Sequence, residues 1–240
     1  MTSAKAARLL QIRRGILRDR LKELRQVVHK WRQTFEGLFP HVRDFATFPE
    51  VRAIIELPNE SVVNAGSYDV LLPTIPGLVD KWRKNADDRL LDRLKSLISC
   101  AEGVDPRSLA TTLLFTCNRC SAWRTYPEVL THCCQYYTFY ENEEAEVYNT
   151  TANSVMSAKP WDASSYSINT KIVNTVLSLC DKDPSRTTQA DMDALDERFV
   201  CDSCDGSGIE TVMTWRAVVC SSVPSPSQTH LTRLSGFAQH

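Results

Sequence analysis

The sequence has little of what recognisable enzymes and membrane proteins require. Only eight of its 240 residues are glycine, few for a fold that cradles phosphate groups. It contains no Walker-type loop and no G-x-G-x-x-G, G-x-S-x-G or H-E-x-x-H motif. No apolar run approaches the roughly 20 residues of a membrane helix, so we expect no membrane association. The formal net charge is −1, so overall charge indicates neither nucleic acid nor membrane as a partner.

Cysteine, in contrast, is abundant, with nine residues. The N-terminal stretch MTSAKAARLLQIRRG lacks the apolar core and cleavage site of a secretory signal, which predicts an intracellular protein, cytoplasmic or nuclear. Because that environment keeps thiols reduced, we expect clustered cysteines to act as metal ligands or redox groups rather than to form disulfides.

Residues 1–40 are predicted to form one long, basic, amphipathic helix. Residues 1–35 carry ten Lys or Arg against two acidic residues, a net charge of +8, which leaves −9 for the remainder. Apolar residues recur at alternating spacings of four and three, as in a heptad seam: Leu10, Leu17, Leu21, Leu24, Val28, Trp31, Phe35 and Leu38. We expect this face to pack on the rest of the chain. A coiled-coil homodimer through residues 10–38 and a basic arm for nucleic acid or acidic lipid are the alternatives.

Residues 41–99 are predicted to be a scaffold of shorter helices. Thr47 precedes a Phe-Pro-Glu sequence and is a candidate N-cap for the first of them. Thr74, with a proline two residues later, indicates the start of another. The segment 58–68 between them is predicted to be a loop.

A loose internal repeat begins near residue 100. The motif Phe-x-Cys-x-x-Cys occurs at 115–120 and again at 199–204, and each copy follows an Asp-Pro pair and an upstream cysteine. The pattern predicts two related modules, residues 100–140 and 181–220. Residues 141–180 are predicted to form an acidic and polar surface excursion, residues 141–162, followed by a helix at 168–179. Thr188 and Asp191 resemble a capping box, and residues 221–240 are predicted to be a disordered tail.

The first module contains a candidate zinc site. A Cys-x-x-Cys turn supplies two ligands because a tight turn lets both sulfurs face one point, and zinc favours four thiolate or imidazole ligands. Cys117 and Cys120 are followed by His132, Cys133 and Cys134. On an unbroken helix, residues two apart point about 200° away from each other, so His132 and Cys134 converge only if the predicted helix ends near His132. Redox chemistry at the Cys-x-x-Cys and plain buried cysteines are the alternatives.

The second module offers a less complete ligand set. Its cysteines are Cys201, Cys204 and Cys220, and the candidates for a fourth ligand are Cys180, His230 and Cys100. The octet CDSCDGSG at 201–208 matches the C-x-x-C-x-G-x-G unit of the zinc-binding region of DnaJ-type co-chaperones. One site shared by both Cys-x-x-Cys pairs is the alternative to two separate sites.

Several motifs taken together resemble an expanded family of uncharacterised proteins of mushroom-forming fungi (basidiomycetes). These motifs are FTCNRC, YPEVLTHCC, CDKDP, TTQADMDALDERFVCDSC and MTWRAVV, and the resemblance spans roughly residues 38–219. The family carries paired F-x-C-x-x-C zinc-knuckle modules and is sometimes described as F-box-type, although this chain has no F-box pattern. Its first module ends in H-x-C, which implies Cys134 rather than Cys133 as the fourth ligand. Its second module has a histidine shortly after the W-R-x-x-V helix, where this chain has Cys220 and Ser221.

The sequence therefore predicts a mainly α protein, with a long N-terminal helix and a helical scaffold that carries two small zinc-knuckle modules of C2HC or C2H2 type. We expect a non-catalytic, zinc-stabilised protein-interaction module with a protein partner that the sequence does not identify. One alternative is a zinc-finger-like nucleic-acid-binding protein, although the segment 125–144 is acidic and aromatic rather than basic. The other is a metal-dependent or thiol redox enzyme, for which Glu128 is the formal candidate base.

Overall fold

The protein is mainly helical and carries two small sheets. The computed structural model describes residues 3–98, 101–134, 146–168, 170–201, 212–221 and 231–234. Its helices are α1 (Ser3–Thr34), α2 (Val42–Phe45), α3 (Pro49–Ile55), α4 (Ile75–Lys95), α5 (Pro106–Ala110), α6 (Val147–Met156), α7 (Thr170–Leu179), α8 (Gln189–Leu195) and α9 (Trp215–Ser221). Its strands are β1 (Phe115–Cys117), β2 (Trp123–Arg124), β3 (Tyr166–Ile168), β4 (Arg198–Cys201), β5 (Val212–Thr214) and β6 (Leu231–Leu234). Three segments are 3-10 helices: Ala65–Thr74, Glu128–Thr131 and Ala163–Ser165. No helix within the described residues is long and apolar enough to span a membrane.

The chain divides into two compact units, each built from two stretches of sequence. The first unit comprises residues 1–88 and 130–162, and the second comprises residues 89–129 and 163–240. The chain therefore leaves the first unit, returns to it and leaves it again, whereas the sequence predicted successive linear boundaries. Both sheets belong to the second unit.

Helix α1 confirms the long amphipathic helix predicted from the heptad spacing. Its central seam residues are at most 4% exposed: Leu17, Leu21, Leu24 and Val28. They lie in the core of the first unit, together with residues of α2, α3, α6 and the 3-10 helix Ala65–Thr74. The apolar face of α1 is therefore covered by its own unit, as the first of the three interpretations expected.

The N-terminal end of α1 differs from its centre. Leu9, Leu10 and Ile12 are between 39% and 50% exposed. A homodimer through residues 10–38 remains a prediction. Because the central seam is already buried, the exposed apolar side chains available to such a dimer on α1 are these N-terminal ones.

Arg20 is one of the ten basic residues of the N-terminal segment, yet only 4% of its surface is exposed. Its guanidinium donates hydrogen bonds of 2.6 to 2.9 Å to the carbonyl oxygens of Ile55, Leu57, Pro58 and Ser61. Four acceptors around one cation replace the water that burial removes, and desolvation still lowers the pKa of Arg20. The side chain thus holds the connection after α3 against α1.

Two predicted helix starts lie elsewhere in the structure. The N-cap of α3 is Phe48, and the Thr47 hydroxyl instead donates to the carbonyl of Asp44 at 2.6 Å. Thr74 is not an N-cap because the 3-10 helix that begins at Ala65 continues directly into α4. That 3-10 helix also begins inside the predicted loop 58–68. In both places the proline lies in the first turn of the helix, so the proline indicated the helix start correctly and the threonine did not.

Helix α6 corrects the prediction that residues 141–162 form a surface excursion. Tyr148, Ala152 and Met156 are at most 5% exposed and belong to the core of the first unit. Their spacing of four residues places them on one face of the helix. Polar residues between these positions, and the acidic run before them, concealed this face in the sequence. Residues 135–145 lie outside the described part of the chain.

A buried arginine connects α2 to α6. Arg43 is 2% exposed, and its Nε and Nη2 donate to the side-chain oxygens of Asn153 at 2.6 Å and Asn149 at 2.9 Å. The Tyr148 hydroxyl donates to the carbonyl of Ala46 at 2.6 Å. These polar contacts fix α6 in register with α2 because Nε and Nη2 of Arg43 and the Tyr148 hydroxyl each meet a specific acceptor.

The second unit repeats one sheet arrangement. The strand order is β2-β1-β3 in one sheet and β5-β4-β6 in the other, and all pairings are antiparallel. The central strand of each sheet is a Phe-x-Cys segment, and both Phe115 and Phe199 are fully buried. The loose echo in the sequence thus corresponds to two related sheets.

In the C-terminal part of the chain, the structure confirms one sequence prediction and corrects two. The Thr188–Asp191 capping box is present at the start of α8. Helix α7 begins at Thr170, and the Ile168 predicted to start it ends β3 instead. Residues 231–234, inside the predicted disordered tail, form β6 and pair with β4, with Leu231 opposite Cys201. Residues 222–230 and 235–240 of that segment lie outside the described residues.

Candidate metal centre

Cys117 and Cys120 lie in a tight hairpin between β1 and β2. Cys117 ends β1 and is 1% exposed, and its backbone N–H donates to the carbonyl of Ala122 at 2.8 Å. The N–H of Ser121 donates back to the carbonyl of Cys117 at 2.9 Å. Ser121 has a φ of 56°, in the left-handed region, which lets the chain turn sharply just after Cys120. This is the compact turn that a Cys-x-x-Cys pair needs.

Asn118 lies between the two cysteines and connects this hairpin to Ser165, just before β3, and to Ser167 in β3. Its backbone N–H donates to the carbonyl of Ser165 at 2.9 Å. The Ser167 hydroxyl donates to the Asn118 side-chain oxygen at 2.5 Å. The first turn of the site is therefore held by hydrogen bonds as well as by strand pairing. Sequence reasoning missed Asn118, and no spacing in the sequence connects it to residues 165–167.

His132 and Cys134 follow a single turn of 3-10 helix rather than a long helix. The Thr125 hydroxyl donates to the Glu128 carboxylate at 2.7 Å, at the start of the segment Glu128–Thr131. The helical turn ends at Thr131, immediately before His132. The condition under which His132 and Cys134 can converge is therefore met, because residues 132–134 are not helical.

The four residues expected from the sequence come together. One ligand atom from each of Cys117, Cys120, His132 and Cys134 lies within 4.8 Å of every other. Bonds of about 2.3 Å to sulfur and 2.0 Å to nitrogen place tetrahedral zinc ligands roughly 3.5 to 3.8 Å apart. Small adjustments of side chains would therefore complete a coordination sphere. The sulfurs of Cys117, Cys120 and Cys134 are thiols, not disulfides. The cluster can hold a metal ion.

Cys133 stands outside this group, in agreement with the preference for Cys134 that the family resemblance implied. Burial, with smaller contributions from Asp44 and Cys134, raises the pKa of Cys133 to about 11. A thiol with a raised pKa stays protonated at neutral pH and is a poor nucleophile.

The second predicted ligand set is only partly within the described residues. Cys201 ends β4, in the position that Cys117 has at the end of β1, and Cys220 lies in α9. Their side chains, together with Cys204, Cys100 and His230, lie outside the described residues. The second zinc site therefore stays a prediction. Cys180 lies just after the end of α7, where burial raises the pKa of its thiol.

Comparisons with known proteins add no relative. No protein-family model matches this sequence, and neither any curated protein nor any solved structure matches it.

Proposed function

We propose that Cys117, Cys120, His132 and Cys134 bind one structural zinc ion, and that the protein acts as a non-catalytic, zinc-stabilised interaction module. The observation that carries the proposal is the mutual proximity of three thiols and one imidazole within 4.8 Å. Three thiolates and one imidazole form a donor set that suits zinc better than magnesium or calcium, whose ligands are oxygens.

A structural role follows from the number of protein ligands. Four protein ligands fill a tetrahedral zinc, whereas a catalytic zinc keeps one position for water or substrate. Glu128, the formal candidate base, has its carboxylate bonded to the Thr125 hydroxyl at the start of the 3-10 turn. This side-chain hydrogen bond accounts for the position of the carboxylate without a catalytic role. An ion that only links segments of the chain stabilises the surface that these segments form. This favours an interaction role over an enzymatic role.

The test is metal analysis of protein purified without chelators, combined with three single variants. We expect wild-type protein to retain zinc and Cys134→Ser to lose one equivalent, because serine oxygen is a weak zinc ligand. Cys133→Ser is the matched control and is expected to retain the wild-type zinc content. His132→Gln is expected to lose the same equivalent as Cys134→Ser. Measuring differences between variants keeps the result independent of any zinc bound at the second module.

Cobalt substitution gives a second readout. Cobalt(II) in a tetrahedral thiolate site absorbs strongly in the visible range, and Cys134→Ser should weaken the thiolate-to-metal band while Cys133→Ser leaves it unchanged. The proposal fails if wild-type protein binds no metal, or if the two serine variants have the same effect on metal content.

A further inference from the structure

A groove on the first unit combines a basic rim with an apolar floor. It has a volume of about 550 Å³ and lies between the C-terminal half of α1 and the segment 39–42, with Thr131 at one side. This volume is within the range of ligand-binding pockets. Ten residues line the groove, and none of them is acidic.

The rim is formed by one stripe of α1. Arg25, His29 and Arg32 are spaced by four and three residues, so they lie on one face of the helix, and all three are exposed. Within the described residues, Arg25 forms no hydrogen bond or ion pair that would neutralise it. Arg32 donates one hydrogen bond, to the carbonyl of Gly37 at 2.8 Å, which leaves most of its donors available. The groove therefore carries uncompensated positive charge.

His41, from the segment 39–42, adds a hydrogen-bond donor to the lining of the groove. Its Nδ1 accepts a hydrogen bond of 3.1 Å from the backbone N–H of Arg43, which places the ring proton of the neutral form on Nε2. Burial, together with Arg25 and Arg43, lowers the pKa of His41 to about 4, so the ring is neutral at pH 7. A neutral Nε2–H donates to an anionic oxygen, and such an oxygen would complete the hydrogen bonding of the imidazole.

The floor of the groove is apolar. Phe39 and Val28 are buried to 4% exposure each, and Pro40 and Val42 continue the surface. The Phe39 ring centroid also lies 5.7 Å from the Arg32 guanidinium carbon, so a rim cation and the floor are in cation–π contact. A bare phosphate backbone would gain little from such a floor, whereas an aliphatic side chain flanked by carboxylates would use the floor and the rim together.

We propose that this groove binds an acidic peptide segment of a partner protein, with an aliphatic side chain on the floor and flanking carboxylates on Arg25 and Arg32. The inference deepens the proposed interaction role and rests on it, since it names the chemistry of the partner. Electrostatic complementarity of this kind sets both the association rate and the choice of partner.

The test is fluorescence anisotropy with a labelled Glu-Leu-Glu repeat peptide at low and moderate salt. We expect Arg25→Glu and Arg32→Glu each to weaken binding about tenfold, because each reverses a rim charge opposite a carboxylate. Arg18→Glu is the matched control, since Arg18 is exposed on the same helix but does not line the groove. It makes the same change in net charge and is expected to alter binding by no more than about twofold.

Two control probes define the chemistry. A peptide with glutamine in place of glutamate, and one with serine in place of leucine, should each bind more weakly than the parent. The inference is overturned if the parent peptide does not bind, if Arg18→Glu weakens binding as much as Arg25→Glu, or if a generic single-stranded oligonucleotide binds more tightly than the peptide.

Zinc content separates this inference from the metal proposal. Arg25→Glu is expected to retain the wild-type zinc content, so its loss of peptide binding would report on the groove alone. Peptide binding by protein that contains no zinc would support the groove and refute the metal proposal. Zinc retention without peptide binding would support the metal proposal and refute the groove.

Discussion

Replacing Arg20 by methionine should destabilise the first unit strongly. Methionine keeps an unbranched apolar stem but removes the guanidinium that donates to four carbonyl oxygens at 2.6 to 2.9 Å. A hydrogen bond to a charged group contributes roughly 1.5 to 3 kcal/mol. The carbonyls between Leu57 and Ser61 belong to a largely exposed connection and can be rehydrated in part. We therefore expect the free energy of unfolding to fall by about 3 to 5 kcal/mol, as when one partner of a buried charged cluster is removed.

The assay is urea unfolding followed by circular dichroism, with two comparison variants. Arg20→Lys keeps the charge but presents a single ammonium to four acceptors, so we expect roughly half the loss. Arg18→Met is the control, because Arg18 lies two residues away on the exposed face and should change the free energy by less than about 0.5 kcal/mol. Hydrogen exchange should also accelerate in residues 55–61 of Arg20→Met. Equal stabilities of Arg20→Met and Arg18→Met would refute the reasoning.

Further predictions concern pH and the two sheets. The pKa of His41 is about 4 in the folded chain against 6.5 for an ordinary histidine, so the unfolded chain binds the proton first, and stability that is fully present above about pH 6.5 is lost as the pH falls towards 4. His41→Gln should flatten this pH dependence by on the order of 2 kcal/mol in urea unfolding between pH 7 and pH 4.5, and an unchanged pH dependence in this variant would contradict the role of His41. Phe115→Ala and Phe199→Ala should each cost about 3 to 5 kcal/mol, since both rings are fully buried in a central strand. A loss below about 1 kcal/mol for either phenylalanine would contradict the equivalence of the two sheets.

The sequence predicted those features that depend on contacts between near neighbours. The apolar spacing of α1 and the capping box of Thr188 and Asp191 are local patterns, and the structure confirms both. The proximity of Cys117, Cys120 and His132 was also predictable, because a Cys-x-x-Cys turn and a short return segment limit where the ligands can lie. In each case a short length of chain separates the residues involved.

Features that depend on distant parts of the chain were not predictable in the same way. Arg20 lies among the basic residues of α1 like any solvated arginine, and only the connection after α3 supplies its four acceptors. Helix α6 was hidden because its buried face consists of isolated apolar residues in a polar stretch. Strand β6 has no sequence signal beyond two leucines, and its pairing with β4 is a tertiary contact. In these places contacts with distant residues of the chain, not the local sequence, determine the structure.

Asn149 illustrates how the fold changes the meaning of a short motif. Asn149-Thr150-Thr151 has the form of an N-glycosylation acceptor. In the folded protein, however, the Asn149 side-chain oxygen accepts from Arg43 and its nitrogen donates to Glu146 at 2.7 Å. A sugar on that nitrogen would replace one of its two hydrogens and crowd the junction between α2 and α6. Carbohydrate at this position would have to be accommodated beside the contacts of Asn149 with Arg43 and Glu146, so the fold disfavours its attachment here.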